Sequence, residues 1–337
     1  MISTSEKDNH LFNAKEKEMF ISEMMEDGSI SQETAKSYRR IFVIVSGLED
    51  ALKKDISKFT FEELETVLYS FKANNRNTVE SYARIISSYL KWAVVKGIIE
   101  DNLLGELRPN DFNKYLTNEE SYFTEKQLRR WEEHLANYQD AVILRLLFIG
   151  VSGKQMSEIR NLKRSDIDRD NKRIKLINTL KADENGLPIK FTERYIDVDD
   201  EHTFDLIEGA LNIKTYTKRN GEVAEGNEVR SLGVLELVEN DYVVRTSITK
   251  TDNYSYPVDK FVVYRRIRMI SEVLGIEDLT TKLVQRCGMI YTASKLVKND
   301  EVTLDDLKII ADKFNIASYH NLKGFLTIDN IKKAYDV

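Results

Sequence analysis

The sequence predicts a mostly α-helical protein with a small β-sheet, built as a helical N-terminal domain followed by a mixed α/β domain. Three observations predict it. The 337 residues exceed one ordinary domain of ~100–200 residues. Charged residues make up 31% and prolines number only 3, which suits a helix-rich chain. Apolar residues recur at helical spacing through most of the chain, whereas period-two alternation is found mainly in two short runs of the second half.

Taken in order, residues 1–11 are polar and read as a disordered N-terminus. A first helix covers 14–26 and is broken by Gly28 and Ser29. Ser31 caps a second helix to about Lys54, which carries Ala35, Tyr38, Ile41, Phe42 and Val45 on one stripe. Thr60 with Glu63 forms a capping box for a short helix to Phe71. Asn77 with Glu80 forms another, ahead of Val79, Tyr82, Ile85, Ile86, Tyr89, Leu90 and Ala93, and Gly97 ends that helix. Four such helices make a small bundle whose pieces would be marginal if separated, and it is assigned to residues 12–106. The stretch from Asp101 to Ser121 carries Gly105 and Pro109 and little periodicity, so residues 107–121 are assigned as a linker.

The second domain is assigned to 122–337. Thr124 with Gln127 caps its first helix, through Trp131. Residues 141–150 are apolar on nearly every side and predict a central buried helix. A short helix over 156–162 follows. Residues 172–178 and 191–198 alternate as strands around a turn at Asn185 and Gly186. A helix is expected over 199–211. Residues 214–258 hold Asn220-Gly221, Gly226, Gly233 and short β-rich runs at 235–238 and 242–245, and fit either further strands or a long surface excursion. Helices resume at 259–274, 280–298, 303–314 and 327–335.

Composition excludes several functions. A single cysteine, Cys287, rules out a disulfide framework and a cysteine metal site, and the four histidines are scattered, so no metal or cofactor is expected. No run reaches the ~18 apolar residues of a membrane span; the longest candidate, 141–151, is interrupted by Arg145. The polar, acidic N-terminus is no signal peptide, and a cytoplasmic setting is expected. The net charge of −6 counts against a nucleic-acid partner, because phosphate neutralisation needs Lys and Arg. A basic face can nonetheless be hidden in such a sum by an acidic opposite face.

The most specific motif runs from Leu147 to Leu162: an apolar approach, Gly153, Gln155, Glu158, Ile159 and Leu162, followed by Asp166-Ile167-Asp168. With the helical first domain, the apolar helix, the strand pair and a terminal Tyr335, this arrangement resembles the tyrosine recombinase (phage integrase) family over residues 12–337. The resemblance implies a SAM-like helical core-binding domain and a recombinase catalytic-type domain that close around DNA. The family carries Gly-x-Arg-x-x-Glu at this place; here Gln155 occupies the arginine position. A guanidinium supplies permanent charge and a planar fork of donors to a phosphate, and glutamine supplies a neutral amide. Losing one such contact commonly costs ~10²–10³ in rate.

A second family pattern, a His or Lys followed three residues later by Arg, is matched by Lys282 to Gly288. With Lys282 in the basic position, the second arginine position falls on Gln285. Sliding the register by one puts Arg286 there, but Leu283 in the basic position. Gly288 favours the first register. Tyr335 resembles the nucleophile and His320 the late histidine, although their separation is longer than the family's usual spacing. A tyrosine closing a terminal amphipathic helix fits Tyr335 equally well. On this reading Gln155, Lys282, Gln285, His320 and Tyr335 are vestiges of a catalytic set, and no enzyme activity is expected.

DNA contact is expected from exposed basic and polar residues on elements that face DNA in the family. In the first domain these are Lys36, Arg39 and Arg40 on the second helix, and Arg76, Asn77, Thr78 and Arg84 on the fourth, whose N-terminus suits phosphate. In the second they are Lys154, Gln155, Arg160, Lys163, Arg164, Arg265, Arg266, Arg268, Lys282 and Arg286. Singly, each is more often a solvated charge. Within the family, an integrase body with degraded catalytic positions resembles the recombinase-fold master repressors that maintain lysogeny in SPβ-type Bacillus prophages. That resemblance implies double-stranded operator DNA as partner and a regulatory protein that relieves repression. An active divergent recombinase using Tyr335, and an interaction protein that does not bind DNA, are the rival readings.

Overall fold

The computed structural model describes residues 10–73, 76–116, 122–221, 233–251, 254–298 and 300–335. Residues 1–9 of the N-terminus expected to be disordered lie outside them. The chain divides into two compact units, Met1–Ser121 and Tyr122–Val337.

In the first unit, α1 (Ala14–Glu26), α2 (Gln32–Leu52), α3 (Phe61–Ser70) and α4 (Arg76–Val95) form the expected bundle. Caps set their starts. Ser31 Oγ accepts the Thr34 amide, and Thr60 and Glu63 exchange both bonds of a capping box. The box expected at Asn77 does not form. Helix α4 already begins at Arg76, so Asn77 lies inside its first turn, and the Glu80 carboxylate instead takes Arg84. Aromatic rings fill the core: Phe42 meets Tyr89 edge-on at 5.3 Å, and Tyr89 stacks on Trp92 at 5.6 Å. One ion pair is enclosed among them. Lys17 Nζ lies 2.6 Å from Glu49 Oε2 and from the Phe12 carbonyl, and Glu49 also accepts the Ile56 amide at 2.7 Å. The expected linker is partly core. Residues Pro109–Tyr115 form a 3₁₀ turn packed on α4, with Phe112 and Tyr115 buried.

In the second unit, α5 (Glu125–His134) starts at the expected Thr124–Gln127 capping box. It packs on α6 (Tyr138–Phe148), of which every residue after Tyr138 is buried. Helices α8 (Glu201–Asn212), α9 (Val262–Leu274) and α10 (Thr281–Leu296) surround α6. Arg145 sits in the middle of α6 and is neutralised by Glu132 at 2.6 Å and Glu125 at 3.0 Å. The short α7 (Ser157–Asn161) lies against an antiparallel sheet of β1 (Ile167–Asp168), β2 (Arg173–Ala182) and β3 (Pro188–Asp197). The β2–β3 register runs from Arg173↔Asp197 to Ala182↔Pro188, with irregularities after Thr179, and turns at Gly186, whose φ is 85°. In the uncertain 214–258 region, β4 (Thr215–Thr217) pairs with β5 (Val234–Glu236). The 242–245 run is no strand. Tyr242 makes a single bridge to Lys163, while Val243 and Val244 enter the core. Helices α11 (Leu304–Lys313) and α12 (Ile328–Ala334) close the chain over a separate apolar cluster with α10. No described helix is long and apolar enough to cross a membrane.

The junction of α6 and α10 is the tightest in this unit. A Cβ on Gly288 would lie 1.8 Å from the Phe148 carbonyl oxygen, so only glycine permits this approach. Gly288→Ala is expected to lower stability by about 3 kcal/mol, read from urea unfolding of the full chain.

Candidate nucleic-acid interface

The segment after α6 is clamped from several directions. Gly150, at φ 103°, passes so close to the end of α11 that a Cβ would lie 2.8 Å from the Lys313 carbonyl oxygen. Gly153, at φ 69°, is enclosed by Asn178, Ser157 and Glu158. Asn178 Oδ1 on β2 accepts the Lys154 amide at 2.8 Å and Ser157 Oγ at 3.1 Å. Between these anchors Gln155 and Met156 both adopt left-handed conformations, with φ of 54° and 59°. Such residues cost of order 1–3 kcal/mol each and persist only where the surroundings fix them. The exposed Gln155 amide makes no hydrogen bond to a described residue.

Arg194 holds this segment, and the sequence reading missed it. Its guanidinium donates to both Glu158 oxygens at 2.7 Å, to the Gly150 carbonyl at 2.7 Å and to the Lys313 carbonyl at 2.8 Å. Glu158 is fully buried and also accepts the Ser152 amide at 2.8 Å. Arg194 is therefore committed to the interior. The signal was available: it shares the inward face of β3 with Ile196, where a charge needs a partner. Lys313 meets this segment through its backbone carbonyl. Burial, with Lys295 nearby, pulls its amine below the usual lysine range.

The second motif lies on α10. Gln285 is one turn before Gly288 on the face that meets the end of α6. Arg286 is turned by about 100° from Gln285, is buried, and packs 4.8 Å over the Phe325 ring. Lys282, at the exposed start of the helix, precedes both. Tyr335 is half-buried. Its hydroxyl accepts the Glu125 amide at 2.8 Å, its ring lies 5.7 Å from Tyr291, and burial raises its phenol above the ordinary range. A phenol so placed is a weaker nucleophile than a free one. His320 is exposed and stacks on Tyr319 at 4.2 Å. No hydrogen bond or ion pair joins His320 or Tyr335 to Gln155 among the described residues.

The expected DNA-contact residues divide by exposure. Lys36, Arg40, Asn77, Arg84, Lys154, Arg164, Arg265, Arg268 and Lys282 are exposed. Arg84 and Arg268 keep most of their surface in water while pairing with Glu80 and Glu272. Arg39 is tied to Glu18, Arg76 reaches Asn110, and Thr78 and Lys163 are half-buried, with the Lys163 amine over the Tyr242 ring. Three expectations of exposure are corrected. Arg160 and Arg286 are buried, and Arg266 is nearly so, because α7, α9 and α10 turn those positions toward the protein.

Comparison with known proteins places this geometry. Residues 122–336 match the family described as "MrpR, C-terminal catalytic domain", and residues 11–96 match "MrpR, N-terminal core-binding domain". The chain belongs to the MrpR family. It is 29% identical over 336 residues to the SPbeta prophage-derived uncharacterized protein YopR of Bacillus subtilis (strain 168), covering 96% of this chain and 97% of that protein. Among solved structures, its fold is similar to the Tn1549 transposon integrase in complex with transposon right end DNA, with a TM-score of 0.54 and 12% identity, covering 96% and 95% of the two chains. It is also similar to lambda integrase bound to DNA, with a TM-score of 0.51 and 11% identity, covering 89% and 90%. The MrpR-family chain thus has an integrase fold: a helical core-binding domain and a catalytic-type domain with small antiparallel sheets.

Proposed function

We propose that this MrpR-family protein is a sequence-specific DNA-binding repressor of a temperate phage, which keeps lytic genes silent from operator sites and does not cut DNA. The observation that carries the reading is Gln155. It stands in a strained, clamped loop at the place where the integrase family has a phosphate-binding arginine, and the Arg194 guanidinium that holds this segment is neutralised by buried Glu158. Gln285 on the α6-facing side of α10 and the half-buried Tyr335, whose hydroxyl is engaged by the Glu125 amide, support it. A neutral amide still donates to a phosphate or a base edge, so the pocket keeps affinity without activating the phosphodiester. The prophage origin of YopR supports a phage setting, and this reading places the protein in the cytoplasm of the bacterial host.

Genome-wide mapping of bound sites in a lysogenic host tests the proposal. Scattered promoter sites are expected; a single attachment-like site would instead indicate a recombinase. Gel-shift titration is expected to show a specific complex that weakens steeply with salt. Arg40→Ala and Arg84→Ala should each lower affinity about tenfold, because both residues are exposed on the first unit. Tyr335→Phe should leave affinity unchanged. Unchanged affinity in both arginine variants would remove this contact surface.

A further inference from the structure

A second candidate site is lined by neither the Gln155 nor the Lys282 segment, though it includes Arg265 and Arg266 from the expected DNA contacts. A cavity of about 530 Å³ opens beside α9, walled by residues from Tyr216 to Met269. That size suits a small organic ligand. Arg245, Lys250, Arg265 and Arg266 line it, against one carboxylate, Asp259. Asp259 lies 3.8 Å from Arg265, and Arg266 lies 3.7 Å from Asp140, which is outside the cavity. Arg245 is 4% exposed and forms no ion pair among the described residues. Its guanidinium donates to the carbonyls of Val238, Ala210 and Ile213, and its Nε has no partner. Burial of a cation whose hydrogen bonds go only to carbonyls is costly, and Arg164 and Arg266 add like charge that Glu239 offsets in part. An anion seated in the cavity relieves both. The remaining walls mix polar residues, Asn240, Thr246, Ser247 and Thr251, with apolar and aromatic ones such as Val258, Met269 and Tyr256, and the Arg266 guanidinium packs 4.9 Å over the Tyr216 ring. These surfaces suit a flat apolar body.

We propose that this cavity binds a small organic phosphate carrying an aromatic body, of nucleotide size, with Arg245, Arg265 and Lys250 receiving the phosphate. Calorimetric titration of the full chain with phenyl phosphate, adenosine monophosphate and inorganic phosphate tests it. At least one of the two organic phosphates is expected to bind, more tightly than inorganic phosphate. Lys250→Glu and Arg265→Glu, both at exposed positions, are each expected to weaken that binding by about tenfold or more without lowering Tm. The proposal is overturned if neither organic phosphate binds, if inorganic phosphate binds as well as they do, or if both variants bind like the parent. Displacement of the bound probe by specific duplex DNA would assign the cavity to a backbone phosphate and also overturn it. Persistence of the probe on the DNA complex supports a free-anion site and is independent of the repressor reading.

Discussion

Replacing Arg194 by methionine is expected to destabilise the second unit by about 3–5 kcal/mol, because it leaves Glu158 buried without its cation. Four hydrogen bonds vanish together: two to Glu158 and one each to the Gly150 and Lys313 carbonyls. The remaining donors to Glu158, the Ser152 amide and Asn315 Nδ2, are neutral. Urea unfolding of the full chain reads the loss. The double variant Arg194→Met/Glu158→Met should recover much of it, since removing both members of a buried pair is often nearly neutral. A loss below about 1 kcal/mol in the single variant would show that the pair behaves as a surface ion pair. The functional consequence follows from the same contacts. Arg194 joins β3 to the segment bearing Gln155, so loosening it should weaken DNA binding even where the unit stays folded.

Lys17→Met is expected to cost the first unit a similar amount, about 3–5 kcal/mol, through the stranded Glu49 carboxylate. Its pH dependence has a defined sign. Burial already pushes the Glu49 carboxyl above the ordinary range, with Lys17 opposing it. Without Lys17 the folded-state value rises further. A raised carboxyl leaves stability intact below the unfolded value of about 4.3 and forfeits it as pH climbs through the folded value. The deficit of Lys17→Met should therefore shrink as pH falls toward about 4, and Glu49→Gln should rescue the variant near neutrality. Hydrogen exchange in α1 and α2 follows this unit separately from the other. A deficit independent of pH would place its origin in packing.

Much of the fold is legible because local rules and tertiary packing agree. Ser31, Thr60 and Thr124 cap the helices that their spacing announces, and the apolar run of α6 is central as expected. Where tertiary contacts decide, the sequence misleads. Phe112 and Tyr115 look like linker residues because too few neighbours repeat their spacing, yet two aromatic rings suffice to dock the turn on α4. Asn77 and Glu80 have the spacing of a capping box, but the helix already includes Arg76, two residues before the start that box would set. The site shows the same division. The glycines of both motifs have a steric reason to be glycine: Gly153 is enclosed by Asn178 and Ser157, and Gly288 by Phe148. Motif matching finds these glycines. It does not separate surface arginines from buried ones. Arg160, Arg266 and Arg286 read as basic surface, and each is turned inward by helical phase. Nor does it find Arg194, which belongs to no motif and acts by neutralising a buried acid.

On the proposed function, this integrase fold holds DNA without breaking it. Incubating the protein with a suicide duplex, nicked so that a 3′-phosphotyrosyl link would be trapped, and built on a fragment that it binds, tests this most directly. A complex that forms on native gels and dissociates completely in detergent is predicted. A detergent-resistant adduct whose tyrosyl peptide contains Tyr335 would contradict it.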